Sequence, residues 1–166
     1  MRDLRIEKTV VNIGVGEAGE RLIKAQKVLE MLTGQRPIET ISKTTNKDLG
    51  IREGMPIGCK VTLRGERAED FLKRALWVKS NRLANYNFDP EGNFSFGVPD
   101  YTEFEEMKYD PEIGIFGMDI SVSLKRPGYR VTKRRRRTAK IPVRHRVTRE
   151  EGIQFIRDRF EIEVVG

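Results

Sequence analysis

An α+β fold in a single domain, residues 1–166, is what this sequence predicts, and three observations carry the prediction. From Ile57 to Arg64 the residues alternate: Ile57, Cys59, Val61 and Leu63 point one way, while Gly58, Lys60, Thr62 and Arg64 point the other, the period of a half-buried strand. Met118, Ile120, Val122 and Leu124 repeat the pattern against Asp119, Ser121, Ser123 and Lys125. Each strand thus gives the sheet one oily face and one face of small, polar or cationic groups, flat enough to lie against phosphates and sugar hydroxyls. Between them, Ala68, Phe71, Leu72, Ala75 and Leu76 recur at helical spacing, an apolar stripe that needs cover and finds it on the sheet. No internal repeat and no linker divides the chain, whose 166 residues are about the size of one domain.

Taken in order, Leu4 to Ile13 is rich in β-formers, with its alternation broken at Val10-Val11, and runs into Gly14-Val15-Gly16-Glu17-Ala18-Gly19. Leu22, Ala25, Val28, Leu29 and Leu32 then keep helical spacing, and Gly34 is placed to end that helix. Pro37 opens a short strand, Ile38 to Ile41. The polar loop from Lys43 to Gly54 has Gly50 and Gly54 as pivots, and connections that long are usually functional or disordered. Thr44, Thr45, Asn46 and Asp48 offer little to bury, so this loop is expected to be mobile in the free protein, with Lys43, Lys47 and Arg52 able to meet a phosphate backbone. The competing expectation is an ordered hairpin tip with Leu49 and Ile51 packed back on the sheet. After Gly65 a second helix is expected from Glu66 to about Leu83. Asp89-Pro90-Glu91-Gly92-Asn93 is turn chemistry ahead of a short strand or hairpin at Asn93 to Gly97. Nine of the 13 aromatics lie between Trp77 and Phe116, and rings alternating beside a turn belong in a core more often than on a stacked base. Finally, Thr148 and Glu151 form a T-x-x-E capping box that starts a helix lined by Ile153, Ile156 and Phe160.

Composition removes several function classes. Cys59 is the only cysteine and His145 the only histidine, so disulfide frameworks, Cys/His zinc sites and Ser-His-Asp or Cys-His catalysis lack their parts. No acidic cluster has metal-ligand spacing, and no cofactor is implied. No apolar run approaches the roughly 18 residues of a membrane span, and Met1 to Lys8 lacks the apolar segment of a signal peptide. A soluble, cytosolic protein is expected. Net charge is +7, but Lys125 to Arg149 holds 12 basic residues and no acid, leaving 20 basic against 25 acidic residues elsewhere. Charge segregated in this way points to a polyanion, and a run such as Thr132 to Lys140, with no apolar face, suits nucleic acid better than a membrane. Lys133, Arg134, Arg135, Arg136, Arg137 and Lys140 are the candidate phosphate contacts of this basic arm; Lys60 and Arg64 are candidate RNA contacts on the polar side of the Ile57 to Arg64 strand. A solvated arm with no partner is the plainer alternative.

Gly14, Gly16 and Gly19 form a G-x-G-x-x-G between a strand and a helix, with Glu39 trailing at the next strand, which is the outline of a dinucleotide site and would make the protein a nucleotide-dependent enzyme. Against this, parallel strands covered on both sides are continuously apolar, whereas these alternate. No second βαβ half follows, and Glu17 and Glu20 put negative charge where a pyrophosphate would sit. A glycine-rich strand-to-helix turn accounts for the motif.

Leu29 to Thr45 (LEMLTGQRPIETISKTT), NIGVGEAG, IREGMPIGCKVTLRGER and GIFGMDISV resemble the signatures of the universal large-subunit ribosomal protein five family, the 5S rRNA-binding protein of the central protuberance. The resemblance covers nearly the whole chain, and the basic insertion 125–149 makes it similar to the archaeal form. It implies a mainly antiparallel sheet of about five strands with helices packed on one face, and 5S rRNA on the open face. Residue by residue it implies RNA contacts at Asn12, Gln35, Thr62 and Ser95. It further implies that the loop with Lys43, Thr44, Thr45, Asn46, Lys47 and Arg52 reaches P-site tRNA, and that another surface meets a small-subunit head protein across an inter-subunit bridge. Large-subunit rRNA and neighbouring proteins of the central protuberance complete the implied partners. A protein-binding adaptor with a merely solvated arm is the third functional class in play.

Overall fold

The computed structural model describes residues 1–166. Its elements run β1 (Arg5–Gly14), α1 (Glu20–Thr33), β2 (Ile38–Ile41), β3 (Pro56–Leu63), α2 (Glu66–Val78), β4 (Arg82–Ala84), β5 (Phe94–Val98), β6 (Met118–Lys125), α3 (Arg149–Phe160) and β7 (Glu163–Val165). Five strands make an antiparallel sheet in the order β2-β3-β1-β6-β5, and β4 and β7 form a separate two-stranded parallel ribbon. This is the α+β architecture predicted; the ribbon was not. No helix is long and apolar enough to cross a membrane.

Packing gathers the chain into two compact units, one of Met1–Thr9, Arg64–Phe96 and Ser121–Gly166, the other of Val10–Leu63 and Gly97–Ile120. In the second unit α1 lies against β3 and buries Leu22, Ala25, Val28, Leu29 and Leu32, the five residues the helical period picked out. Its last turn closes on Gly34, whose φ of 68° lets the amide reach the Glu30 carbonyl at 2.8 Å, a conformation other residues adopt at a cost. Val11 and Ile13 of β1, with Cys59, Val61 and Leu63 of β3, complete the apolar side. Val10 and Asn12 stand half-buried on the other. The alternation of β1 therefore holds through Val10-Val11; Val10 is an apolar residue on the polar face.

In the first unit, α2 buries Ala68, Phe71, Leu72, Ala75 and Leu76, as predicted, but ends at Val78 rather than near Leu83. Ser80 and Asn81 turn left-handed, at φ 56° and 54°, and the Asn81 amide donates to the Leu76 carbonyl at 2.9 Å. Leu83 is then free to enter β4, where it faces Val164 of β7. Phe88, Phe94 and Phe96 are all buried, with neighbouring ring centroids 5.3 and 6.4 Å apart, so the alternating rings are core. Helix α3 starts on the capping box: Thr148 Oγ1 accepts from the Glu151 amide and the Glu151 carboxylate accepts from the Thr148 amide. The buried Gly152 sits so close to Gly92 that an added Cβ would stand 2.6 Å from the Gly92 carbonyl oxygen.

Thr9 is fully buried, and its hydroxyl has no hydrogen-bond partner. An unmatched buried hydroxyl costs about 1 to 3 kcal/mol, so Thr9→Val, which keeps the shape, is expected to raise stability by about 1 kcal/mol. A urea midpoint lower than the parent's would show that the hydroxyl is satisfied after all.

Candidate nucleic-acid interface

The polar sides of β1 and β3 face away from the buried residues that α1 packs against. Lys60 is exposed, and Asn12 and Thr62 are half-buried. Gly58 is buried between its neighbours: a Cβ there would meet Thr40 Oγ1 at 2.7 Å and the Ile13 carbonyl at 2.8 Å. Ile38 is the direct antiparallel partner of Lys60, so it shares this face, and it is 67% exposed. Gln35 arrives from beyond the end of α1 and donates through Nε2 to the Thr62 carbonyl at 3.3 Å. The structure thus brings Gln35 and Thr62 together and leaves Lys60 free to reach outward. Cys59 faces the opposite way and is fully buried; burial, with the charge of Glu39, pushes its thiol up to about 11, which keeps it an inert, protonated core group at neutral pH.

The glycine motif lies in the same unit. The amides of Val15 and Gly16, which a pyrophosphate would need, both donate to the Ile57 carbonyl, at 2.9 and 2.8 Å. Together with the antiparallel strands on either side, this leaves the motif a turn and no nucleotide cradle.

The loop from Lys43 to Gly54 is a small hairpin with hydrogen bonds of its own. Asn46 and Ile51 exchange both backbone bonds, at 2.9 and 3.1 Å. Asn46 Oδ1 accepts from the amides of Asp48 and Leu49, and Thr45 Oγ1 from that of Glu53. Of the two apolar residues at this tip, Leu49 is 69% exposed, whereas Ile51 is half-buried. Short polar side chains that bond their own backbone supply the order that buried area does not. Lys43, Thr44, Thr45, Asn46, Lys47 and Arg52 are all exposed on it.

In the first unit, Arg64 and Ser95 are exposed, the latter on the polar side of β5. The basic arm leaves β6 and is held at its root by Arg126, a residue the charge run concealed. Its guanidinium is buried and pairs through Nη2 with Glu151, while Nη1 reaches the carbonyls of His145 and Arg146 at 3.4 Å. One arginine therefore ties the start of the arm to its end and to α3. Glu151 is held below the usual carboxylate range, chiefly by the Thr148 amide and also by Arg126, against a smaller upward push from desolvation. Tyr129 adds a second tie: its hydroxyl accepts from the Val147 amide at 3.0 Å, and the His145 ring meets its ring edge-on. Because the Pro127 carbonyl, 2.8 Å from His145 Nε2, can only accept, that nitrogen carries the proton.

Farther out, Arg134, Arg135, Arg136, Arg137 and Lys140 are exposed. Lys133 pairs with Glu7 of β1. Burial is the largest single influence on Glu7 and raises its pKa, but the hydrogen bond and charge of Lys133, with Lys125 and Lys8, together bring it below the ordinary value. Neither Glu7 nor Arg126 was singled out by sequence.

Polar and cationic side chains on the side of β1 and β3 away from α1, and separately an arm of exposed cations, are features suited to RNA. Two family models match the chain: "Ribosomal protein L5" over residues 1–52 and the C-terminus of the same ribosomal family over residues 56–155. It is 52% identical to the large ribosomal subunit protein uL5 of Sulfurisphaera tokodaii, over 99% of this chain and 94% of that protein. It is 49% identical to uL5 of Methanoregula boonei, over 99% of both, and 51% identical to uL5 of Thermoplasma volcanium, over 99% of this chain and 98% of that one. The chain belongs to the ribosomal protein L5 family, in its archaeal form, and is a protein of the large ribosomal subunit. That family is structural and is not an enzyme family.

Proposed function

We propose that this chain binds 5S rRNA with the polar side of its sheet and helps to attach that RNA to the central protuberance of the large subunit, in the cytoplasmic ribosome. The polar side of β1 and β3, with the exposed Lys60, the half-buried Asn12 and Thr62 and the adjoining Gln35, is the observation that supports it most. Hydrogen-bonding groups on such a face suit 2′-hydroxyls and the edges of unpaired bases. Arg64 and Ser95 are further contacts in this reading, and the chain works as one domain, 1–166, with 125–149 as its basic insertion. The arm, through Lys133 to Arg137 and Lys140, supplies phosphate neutralisation toward 5S or large-subunit rRNA.

Two other partners follow the family resemblance. The hairpin 43–54 presents Lys43, Lys47 and Arg52 on an ordered scaffold, which suits a tRNA backbone in the P site. The segment from Asp100 to Glu112 gathers Asp100, Glu103, Glu105, Glu106, Asp110 and Glu112 around one lysine; negative charge repels RNA and favours a basic protein, such as one in the small-subunit head. No catalysis and no cofactor enter this role. The RNA that co-purifies with the full chain at moderate salt tests it. A single discrete species of 5S rRNA is expected; a heterogeneous mixture with no enrichment of 5S over transfer RNA would overturn the reading.

A further inference from the structure

At the root of the basic arm, in the first unit, the structure holds a recess of about 220 Å³. Leu124, Val147, Ile141 and Tyr129 give it apolar and aromatic surface, beside the polar Asn93 and Thr132. Its rim is polar, with Lys140 and Arg146 as cations and Glu91 as a carboxylate. Tyr129 is pre-set as a wall, since its hydroxyl is engaged by the Val147 amide and its ring is buttressed by His145, itself fixed on the Pro127 carbonyl. Around the mouth lies the most cation-rich acid-free stretch of the chain, Lys125 to Arg149.

We propose that this recess takes one unpaired RNA nucleotide bearing an exocyclic amine, so that the arm reads a base as well as meeting phosphates. The inference rests on the reading of the arm as an RNA contact. Three features of the site correspond to three parts of such a ligand. The fixed Tyr129 ring and the aliphatic walls suit the flat apolar faces of a base. Lys140 and Arg146 suit its phosphate, in a region whose field concentrates polyanions. Glu91 can only accept hydrogen bonds when ionised, so it favours bases that present an exocyclic amine, as cytosine, adenine and guanine do, over uracil, whose one edge donor, N3–H, is flanked by two carbonyl oxygens that a carboxylate repels. Cytosine and uracil are similar in size, and the amine separates them.

The test uses the full chain and fluorescently labelled heptamers of cytidylate and uridylate at pH 7.5, with anisotropy measured over a range of salt concentrations. The parent is expected to bind the cytidylate heptamer about five- to tenfold more tightly. Glu91→Gln, on an exposed turn where folding is not at stake, should reduce that ratio to about one. Ile141→Trp should fill the recess and do the same while leaving the salt slope unchanged, because the phosphate contacts remain. Equal affinities in the parent, or a ratio that survives both substitutions, would overturn the recess as a nucleotide site. A separate variant, Arg134 to Arg137 replaced by Ser, addresses the underlying reading: an unchanged salt slope there would show that the arm meets no phosphates, whatever the base preference.

Discussion

Gly152→Ala is expected to destabilise the protein by about 3 kcal/mol, at the upper end of what overpacking costs. The new methyl carbon would lie 2.6 Å from the carbonyl oxygen, 2.7 Å from the Cα and 3.0 Å from the carbonyl carbon of Gly92. These are backbone atoms of a turn that Asp89 braces by accepting from the amides of Glu91 and Asn93 at 2.9 and 2.8 Å, so no flexible side chain can move aside. Either α3 shifts along its length or the turn opens. Gly14→Ala is the control: a Cβ there meets nothing within 4 Å, and a change of under about 0.5 kcal/mol is expected. Urea unfolding of both reads the difference. If Gly152→Ala stayed within about 1 kcal/mol of the parent, the close seating of α3 on the turn would be wrong.

Arg126→Ala comes next, at about 3 kcal/mol, the low end of the cost of breaking a buried ion pair. Arg126 is only 7% exposed, but the Glu151 side chain is 43% exposed and can recover water, which limits the loss. The variant also frees the carbonyls of His145 and Arg146, and with them the fixed course of the arm. A pH signature accompanies it. The carboxyl of Glu151 is held below its ordinary 4.5 when folded, so its contribution is fully present above about pH 4.5 and is lost as the pH falls through the lower folded value. Melting temperatures from pH 7 to pH 3 should therefore drop at the acid end in the parent, and drop less steeply in Arg126→Ala. Parallel curves would show that the pair is not coupled to folding.

The residues that disclosed themselves in the sequence are those whose burial follows a period. Leu22 to Leu32, Ala68 to Leu76, Ile57 to Leu63 and Met118 to Leu124 each repeat often enough to fix a face, and Thr148 with Glu151 marks a helix start through a bond two side chains make locally. What stayed hidden depends on partners distant in sequence or on segments too short to show a period. Strands β4 and β7 have three residues each. The end of α2 has no glycine or proline to announce it, because Ser80 and Asn81 take the left-handed turn. Arg126 looks like one more cation in a basic run; only the folded chain shows it buried, and only there does Glu7 find Lys133. For the interface, alternation indicated that Lys60 and Thr62 share a face, whereas the junction of Gln35 with Thr62 needed the turn after α1 to be built.

Whether the polar side of the sheet is the 5S rRNA surface is tested most directly by the affinity of Asn12→Ala and Thr62→Val for 5S rRNA beside a control RNA of equal length. Each removes a hydrogen-bonding group worth about 1 to 3 kcal/mol when buried against a partner, so 5S binding should weaken roughly tenfold or more per substitution. Binding of the control RNA, carried by the arm, should stay as it is, and so should the melting temperature, since neither side chain belongs to the apolar core. If both variants hold 5S rRNA as tightly and as selectively as the parent, the RNA does not lie on this face.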